Sequence, residues 1–463
     1  VGTLAELPAG NVDVAVGVEF RKDDYAAARD DVIDQEVIVE FPIAPPLAGQ
    51  TELGEIFGEI VLPLASDKRF AQYLGLEAGY RYSDHSIAGG FDTWKLAAEW
   101  RPAEAFALRA SVQNAIRVPS VDEYFRAESV NIGFVDTGGF DPCSASRRPQ
   151  ELGVAEVCIA QGIPASQIGI WEEVPPYQIF NIDGGNLELE IEQSDTLTAG
   201  IVIEPGAWSN FALALDYYEI EIDNAVQDLN PFSTFQFCFD VNDPGDPLCQ
   251  AVMRDPVTFN VASVRGGPRN VATLTSRGYD LQIVLDHDLP SWLALVEKTA
   301  SLRWSFIGNH ALEYGERLSQ SADFRNCAGF IGWPCGAASF GTLPENKTNT
   351  RVTYDSGPLA LSLQWIWIDG MRDAFFEYGL GLLGLTQDDV NLFFSEIPSK
   401  SYLALSFEFS LHDNVEIFGG VNNLTGTEPP LLVGAQTQAN TDPSVYDVFG
   451  RQYFLGFRAR FFD

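Results

Sequence analysis

The sequence predicts an all-β fold, an antiparallel transmembrane β-barrel wall of about fourteen strands, and two observations carry that prediction. Apolar and polar residues alternate with period two through one segment after another, the pattern of strands with one oily and one wet face. The connections also sort themselves: tight turns (PAE, PGAWS, DSGP, HDN) alternate with mostly long loops. Barrels that cross an outer membrane have this asymmetry, with short turns on one rim and long external loops on the other. A soluble sandwich or propeller needs apolar stripes too, but has no reason to sort its loops. No stretch approaches the roughly 18 consecutive apolar residues of a spanning helix, which excludes a helical membrane protein and leaves a barrel open.

The first clear strand is Asn11 to Arg21, with Val12, Val14, Val16, Val18 and Phe20 opposite Asp13, Gly17, Glu19 and Arg21. An acidic, proline-bearing loop follows (about 23–49), then a strand over about Glu52 to Leu64. After a short break, Leu74, Leu76, Ala78, Tyr80 and Tyr82 oppose Glu77 and Arg81. Trp94, Leu96, Ala98 and Trp100 then face away from Lys95, Glu99 and Arg101, and Phe106, Leu108, Ala110 and Val112 follow one tight turn later. A large loop (118–192) leads to the stripe Leu197, Ala199, Ile201 and Ile203 and the stripe Phe211, Leu213, Leu215 and Tyr217. Beyond loop 227–269 lie NVATLTSRGYDLQIVLD and the climb through Leu302, Trp304 and Phe306. Loop 310–345 precedes NKTNTRVTYD and the run Leu359, Leu361, Leu363, Trp365 and Trp367. Loop 369–397 precedes Leu403, Leu405, Phe407, Phe409 and Leu411. Val415, Ile417, Gly419 and Val421, loop 425–446, and a last strand end the chain. In that strand Tyr453, Leu455, Phe457, Ala459 and Phe461 share one face, and Phe454, Arg458, Arg460 and Phe462 share the other.

Bulk properties agree with this reading. The net charge of −37 over 463 residues argues against a nucleic-acid partner, whose phosphates need Lys and Arg. It suits acidic loops on a cell surface. The chain starts at Val1-Gly2-Thr3 without a basic, apolar leader, as expected of a mature or truncated product. Six cysteines form three close pairs, Cys143 with Cys158, Cys238 with Cys249, and Cys327 with Cys335. An even count at short spacing, with no CxxC, reads as local disulfides in an oxidising compartment. Following strand parity, all three pairs fall on the long-loop side, where closing such a loop stabilises by about 3 kcal/mol.

Candidate chemistry is sparse. The string Gly379 to Gly384 fits GxGxxG, but it lies in a loop between antiparallel strands instead of between a parallel strand and a helix. There is no P-loop, GxSxG or HExxH, and His85, His287, His310 and His412 are isolated. Asp240, Asn242, Asp243 and Asp246 cluster inside the Cys238–Cys249 pair with Gly245 among them, a set of hard oxygen ligands that could take calcium; a solvated acidic turn is the plainer reading. Glu172 and Glu173 are adjacent in a loop and imply no cleft for acid–base work. Asp13, Glu19, Glu77, Arg81, Lys95, Glu99, Arg101 and Arg109 fall on the inward parity and are expected to hydrate the lumen or bond a plug.

Three segments carry a family resemblance. The end of the chain reads DNVEIFGGVNNLTGTEPPLL and then YDVFGRQYF and RARF; NAIRVPSVDEYF rises into the first large loop; NLELEIEQSDTLTAGIVIEP and FALALDYYEIEIDNAV return from it. Together these resemble the TonB-dependent receptors of the Gram-negative outer membrane, although Asp463 follows the aromatic terminus with which that family usually ends. The resemblance spans residues 1–463 and implies the C-terminal portion of a barrel of 22 strands. It also implies N-terminal strands, a plug and a segment that meets the coupling protein, expected in a part of the same chain outside this sequence and otherwise in a separate chain. It implies an outer-membrane receptor that binds a scarce nutrient at its external loops and imports it with TonB-coupled energy, using no cofactor and catalysing no bond chemistry. The implied partners are the bilayer and its lipopolysaccharide, the rest of the barrel and plug, a TonB-type coupling protein, and a small nutrient. Two alternatives stay open. One is a non-transporting barrel that anchors a surface complex; the other is a secreted carbohydrate-active β-protein, soluble without detergent and carrying a carboxylate pair in a cleft.

Overall fold

A computed structural model describes residues 1–27, 47–134, 141–175, 178–206, 210–270, 273–317, 323–332, 334–335, 342–380, 386, 388, 395–412, 414–432 and 440–460. Fifteen strands pair antiparallel in chain order into one sheet, and a two-residue strand (Arg325–Asn326) joins it at one side of the path. The fifteen are β1 (Gly2–Leu7), β2 (Gly10–Ala27), β3 (Leu47–Lys68), β4 (Ala71–His85), β5 (Gly89–Ala103), β6 (Phe106–Arg117), β7 (Glu192–Ile203) and β8 (Phe211–Asp223). The remainder are β9 (Thr273–Leu289), β10 (Ala300–Arg317), β11 (Asn346–Ser356), β12 (Leu359–Ile368), β13 (Lys400–His412), β14 (Val415–Asn422) and β15 (Gln452–Ala459). The all-β prediction stands, with β1 as one strand more than the alternation reveals. β1 is short and its ladder is interrupted by a register shift between Thr3 and Ala5, so its pattern is weak. Among the described residues, β1 and β15 are each paired on one side only.

Register explains the two faces. One cross-strand row runs Trp304, Val352, Leu363, Leu405, Val421, Tyr453. A row of opposite parity runs Arg109, Gly200, Asp216, Asp280, Asn309, Lys347. On the first face Val18 is 80% exposed, Phe20 71% and Leu455 77%. So large an uncovered apolar surface is what a bilayer, and not water, would cover. Gly17 leaves room on the polar face for the Phe57 ring, which a Cβ there would strike.

The rims differ as expected. One carries connections at 8–9, 69–70, 104–105, 204–210, 290–299, 357–358 and 413–414; the other carries 28–46, 86–88, 118–191, 224–272, 318–345, 369–399 and 423–451. Pairing continues to Ala27 and from Leu47, and also to Arg317, so several strands rise further toward the long-loop rim than the alternation suggests. Most of loop 23–49 and the terminal Phe461, Phe462 and Asp463 lie outside the described residues. The largest hydrophobic core is not in the sheet. It lies among the long connections, where Val157, Phe235, Phe237, Cys238 and Val264 are completely buried.

Candidate functional site: the external cap and the polar face

The connections 118–191 and 224–272 fold together into a cap. Helix α1 (Val121–Phe125) starts at Ser120, whose hydroxyl accepts from the Glu123 N–H while the Glu123 carboxylate accepts from the Ser120 N–H. Arg117, the last residue of β6, fixes where α1 begins by bonding both Glu123 and Glu192. Phe125 and Val121 then lie across Gly49 of β3, which has no side chain to obstruct them. The cap includes a four-stranded sheet in the order 252–254, 261–265, 178–183, 129–134. Short helix α2 (Ala155–Ala160), helix α3 (Pro231–Val241) and helix α4 (Pro247–Gln250) complete it. Asn230 caps α3 by accepting from the Ser233 N–H at 2.8 Å. From Ser233 to Phe239 every α3 side chain is buried, as befits a helix enclosed on all sides.

All three expected disulfides are present, Cys143–Cys158, Cys238–Cys249 and Cys327–Cys335. The first two belong to the cap core. Beside them lies a bidentate ion pair between segments far apart in sequence. Arg254 donates to Asp141 at 2.6 and 3.0 Å, to Gln161 at 3.0 Å and to the Phe259 carbonyl at 3.0 Å, and its guanidinium lies 5.5 Å from the Trp171 ring centre. The two charged side chains are 1% and 0% exposed. A second buried cation, Arg325, bonds Glu316 of β10 at 3.0 Å and also Asp240 of α3, so it ties a neighbouring connection to the cap. Neither pair had a local signal in the sequence. Further round the rim, Asp373 is 4% exposed; burial raises its carboxyl above the usual range, partly offset by the Phe375 N–H that it accepts at 2.9 Å.

The calcium candidates each have another role. Asp240 is held by Arg325. Asn242 ends α3 with φ of 52° and donates to the Gly153 carbonyl at 3.3 Å. Asp243 accepts from the Gly245 N–H at 2.8 Å, and Asp246 caps α4 by accepting from the Leu248 N–H at 2.8 Å. Among the described residues no three His, Cys, Asp or Glu side chains gather as a metal would require. Glu172 accepts from the Ser144 hydroxyl at 2.5 Å. In the GxGxxG string, Gly379 ends a helical turn (Phe375–Gly379) and residues 381–384 lie outside the described residues.

The expected lumenal stripe becomes a set of cross-strand pairs on the polar face. Arg81 meets Glu55 at 2.9 Å, Lys95 meets Glu77 at 2.7 Å, Arg109 meets Asp216 at 2.6 Å, and Arg303 meets Asp286 at 2.7 Å. Arg101 pairs with Glu99. The Arg109–Asp216 bridge passes over Gly200, the residue between them in the cross-strand row. Asp13 accepts from the Thr3 hydroxyl at 2.8 Å. Glu19 lies opposite Glu55 in the β2–β3 ladder. This face can hydrate and position a solute or a packed domain; among the described residues it assembles no nucleophile and base.

An antiparallel wall with one apolar and one charge-paired face, tight turns on one rim and a folded cap on the other, defines the wall of an outer-membrane-type receptor barrel. The family model described as TonB dependent receptor-like, beta-barrel, matches residues 4–424, and the chain belongs to that family, whose members are transporters and not enzymes. The fold is similar to that of a mutant of the ferric enterobactin receptor PfeA of Pseudomonas aeruginosa in complex with enterobactin. The TM-score is 0.59 and the identity 15%, over 97% of this chain and 52% of that one. It is likewise similar to the siderophore receptor PirA of Acinetobacter baumannii, with TM-score 0.58 and 14% identity over 98% of this chain and 53% of that one. The chain thus spans about half the length of these structures, and at such identity the likeness is one of fold. No curated protein sequence matches the chain.

Proposed function

We propose that the protein is an outer-membrane receptor of a Gram-negative bacterium that binds a scarce nutrient beneath its external cap and admits it along the polar face. In this reading the apolar face meets the bilayer and its lipopolysaccharide. The remainder of the barrel and a plug complete the passage, and a TonB-type coupling protein supplies the energy. The observation that carries the reading is the cap itself: two long connections on one rim, each pinned by a disulfide, fold around a common core, and a neighbouring connection carries a third disulfide. Loops that only linked strands would need no such core. The PfeA and PirA structures add iron chelates as one class of cargo to test.

The test is genetic. A strain lacking the gene should lose uptake of one nutrient, regain it on complementation, and lose it again when the inner-membrane motor is inactivated. Uptake indifferent to the motor, with a surface complex lost from the deletion strain, would instead point to an anchoring barrel.

A further inference from the structure

A cavity of 330 Å³ lies on the polar face under the last long connection, between β11–β15 and Val445 and Asp447. It departs from the rest of that face in how its cations are paired; Asp447, the carboxylate in its lining, accepts from the Asn423 amide at 3.1 Å and from the Phe449 N–H at 2.9 Å. The cations on β4 to β10 described above are each held by a carboxylate, whereas Lys347, Arg351 and Lys400 have no carboxylate partner among the described residues. Arg351 donates to the Gln364 amide oxygen at 2.8 Å, and Lys400 donates to the Glu428 carbonyl at 2.8 Å. Lys347 lines the cavity, and its side chain bonds no other described residue; the same holds for Asn422 and Gln452, which line it too. Lys347 and Lys400 flank Ile368 in a single cross-strand row, about 10 Å apart at two strand spacings. Ile366 and Val445, packed over the buried Ile368, supply an apolar surface.

We propose, building on the receptor reading, that this cavity is the subsite for one carboxylate of a hydroxyl-rich ligand. An ammonium that bonds no other described residue is poised for one negative group. Amide side chains offer both donors and acceptors, as hydroxyls require, and the isoleucine and valine surface suits the C–H face of a ring. A multiply charged anion is disfavoured, because the chain carries a net charge of −37 and Lys347 is the one cation among the described residues that line the cavity. A uronate sugar and a free or iron-bound hydroxycarboxylate share the required chemistry.

The test is calorimetric titration of the full-length receptor in detergent with trigalacturonate, its fully methyl-esterified form, and iron(III) citrate. At least one carboxylate probe should bind, and Lys347→Met should weaken that binding by about ten- to a hundredfold, the loss of one charge-assisted bond. Lys347→Arg should retain most of it, and Asn422→Ala should weaken it further. If trigalacturonate is the probe that binds, its ester should bind at least about tenfold more weakly. Heat-modified gel mobility of each variant reports that the barrel is folded. The proposal is overturned if neither carboxylate probe binds, if the ester binds as tightly as the acid, or if folded Lys347→Met binds like the parent. Detergent binding needs no energised membrane, so the two readings fail separately. Motor-dependent uptake that ignores Lys347→Met sinks the subsite alone, and Lys347-dependent binding without any uptake sinks the transporter reading alone.

Discussion

Asp141→Asn gives the sharpest test of the idea that the external connections are a folded unit and not a set of flexible tethers. The wild-type carboxylate is fully buried, takes two bonds from Arg254, and accepts the Cys143 N–H at 2.9 Å. Replacing it with an amide leaves the shape nearly intact but strands the Arg254 charge in an enclosed site. Breaking one partner of such a pair costs about 3–5 kcal/mol, where a surface pair would cost under about 1 kcal/mol. At roughly 1.4 kcal/mol per decade, local opening of the cap should rise by about a hundredfold to a few thousandfold. Hydrogen exchange of the backbone amides in α3 and in 261–265 measures this directly, with strands β4–β6 as the internal reference. A double variant, Asp141→Leu with Arg254→Met, should recover much of the lost protection, since removing both charges removes the stranded one. Unchanged exchange in α3 with Asp141→Asn would refute the account, and so would a double variant worse than either single one.

Four further outcomes follow from the same geometry. Gly200→Val should drive a side chain into the Arg109–Asp216 bridge, lowering barrel stability by about 1–3 kcal/mol in urea-unfolding midpoints from detergent or vesicles; a parental midpoint would show that the bridge has room to move. Reducing the three disulfides under native conditions should make the external loops protease-sensitive while heat-modified mobility stays that of a folded barrel; loss of the folded band would contradict a wall that stands without them. Asp373 has a raised folded pKa, so its contribution to local stability is fully present below the unfolded carboxylate value, near about 3.9, and is lost as pH rises through the raised value. Exchange at Phe375 should therefore quicken over that rise, and Asp373→Asn should flatten the dependence. Millimolar calcium should leave the thermal transition where it is, because Asp240 is already paired with Arg325; a clear upward shift would show that the pair yields to the ion.

The wall was legible in the sequence because its rules are local. Parity alone assigns Val16, Trp100 and Leu455 to one face and Lys95, Arg109 and Arg458 to the other, and turn chemistry separates the rims. Close spacing likewise indicated the three cysteine pairs. The cap was not legible, since its contacts are distant: Asp141 and Arg254 stand 113 residues apart. Helix α3, PFSTFQFCFDV, is buried from Ser233 to Phe239 and so shows no amphipathic period to betray it. Lys347 and Lys400 do fall on the inward parity, but only the pairing of the cations on β4 to β10 makes them stand out.

Each cystine closes within a single connection, over separations of 15, 11 and 8 residues, and none bridges two connections or clamps the wall. Six cysteines allow 15 pairings, yet here every thiol finds its mate at short range. Oxidation can therefore finish on the chain before any strand enters lipid, and no covalent knot constrains the order in which hairpins are laid down. The cap is fastened within itself, while its hold on its neighbours, through Arg325, can open and close without bond cleavage.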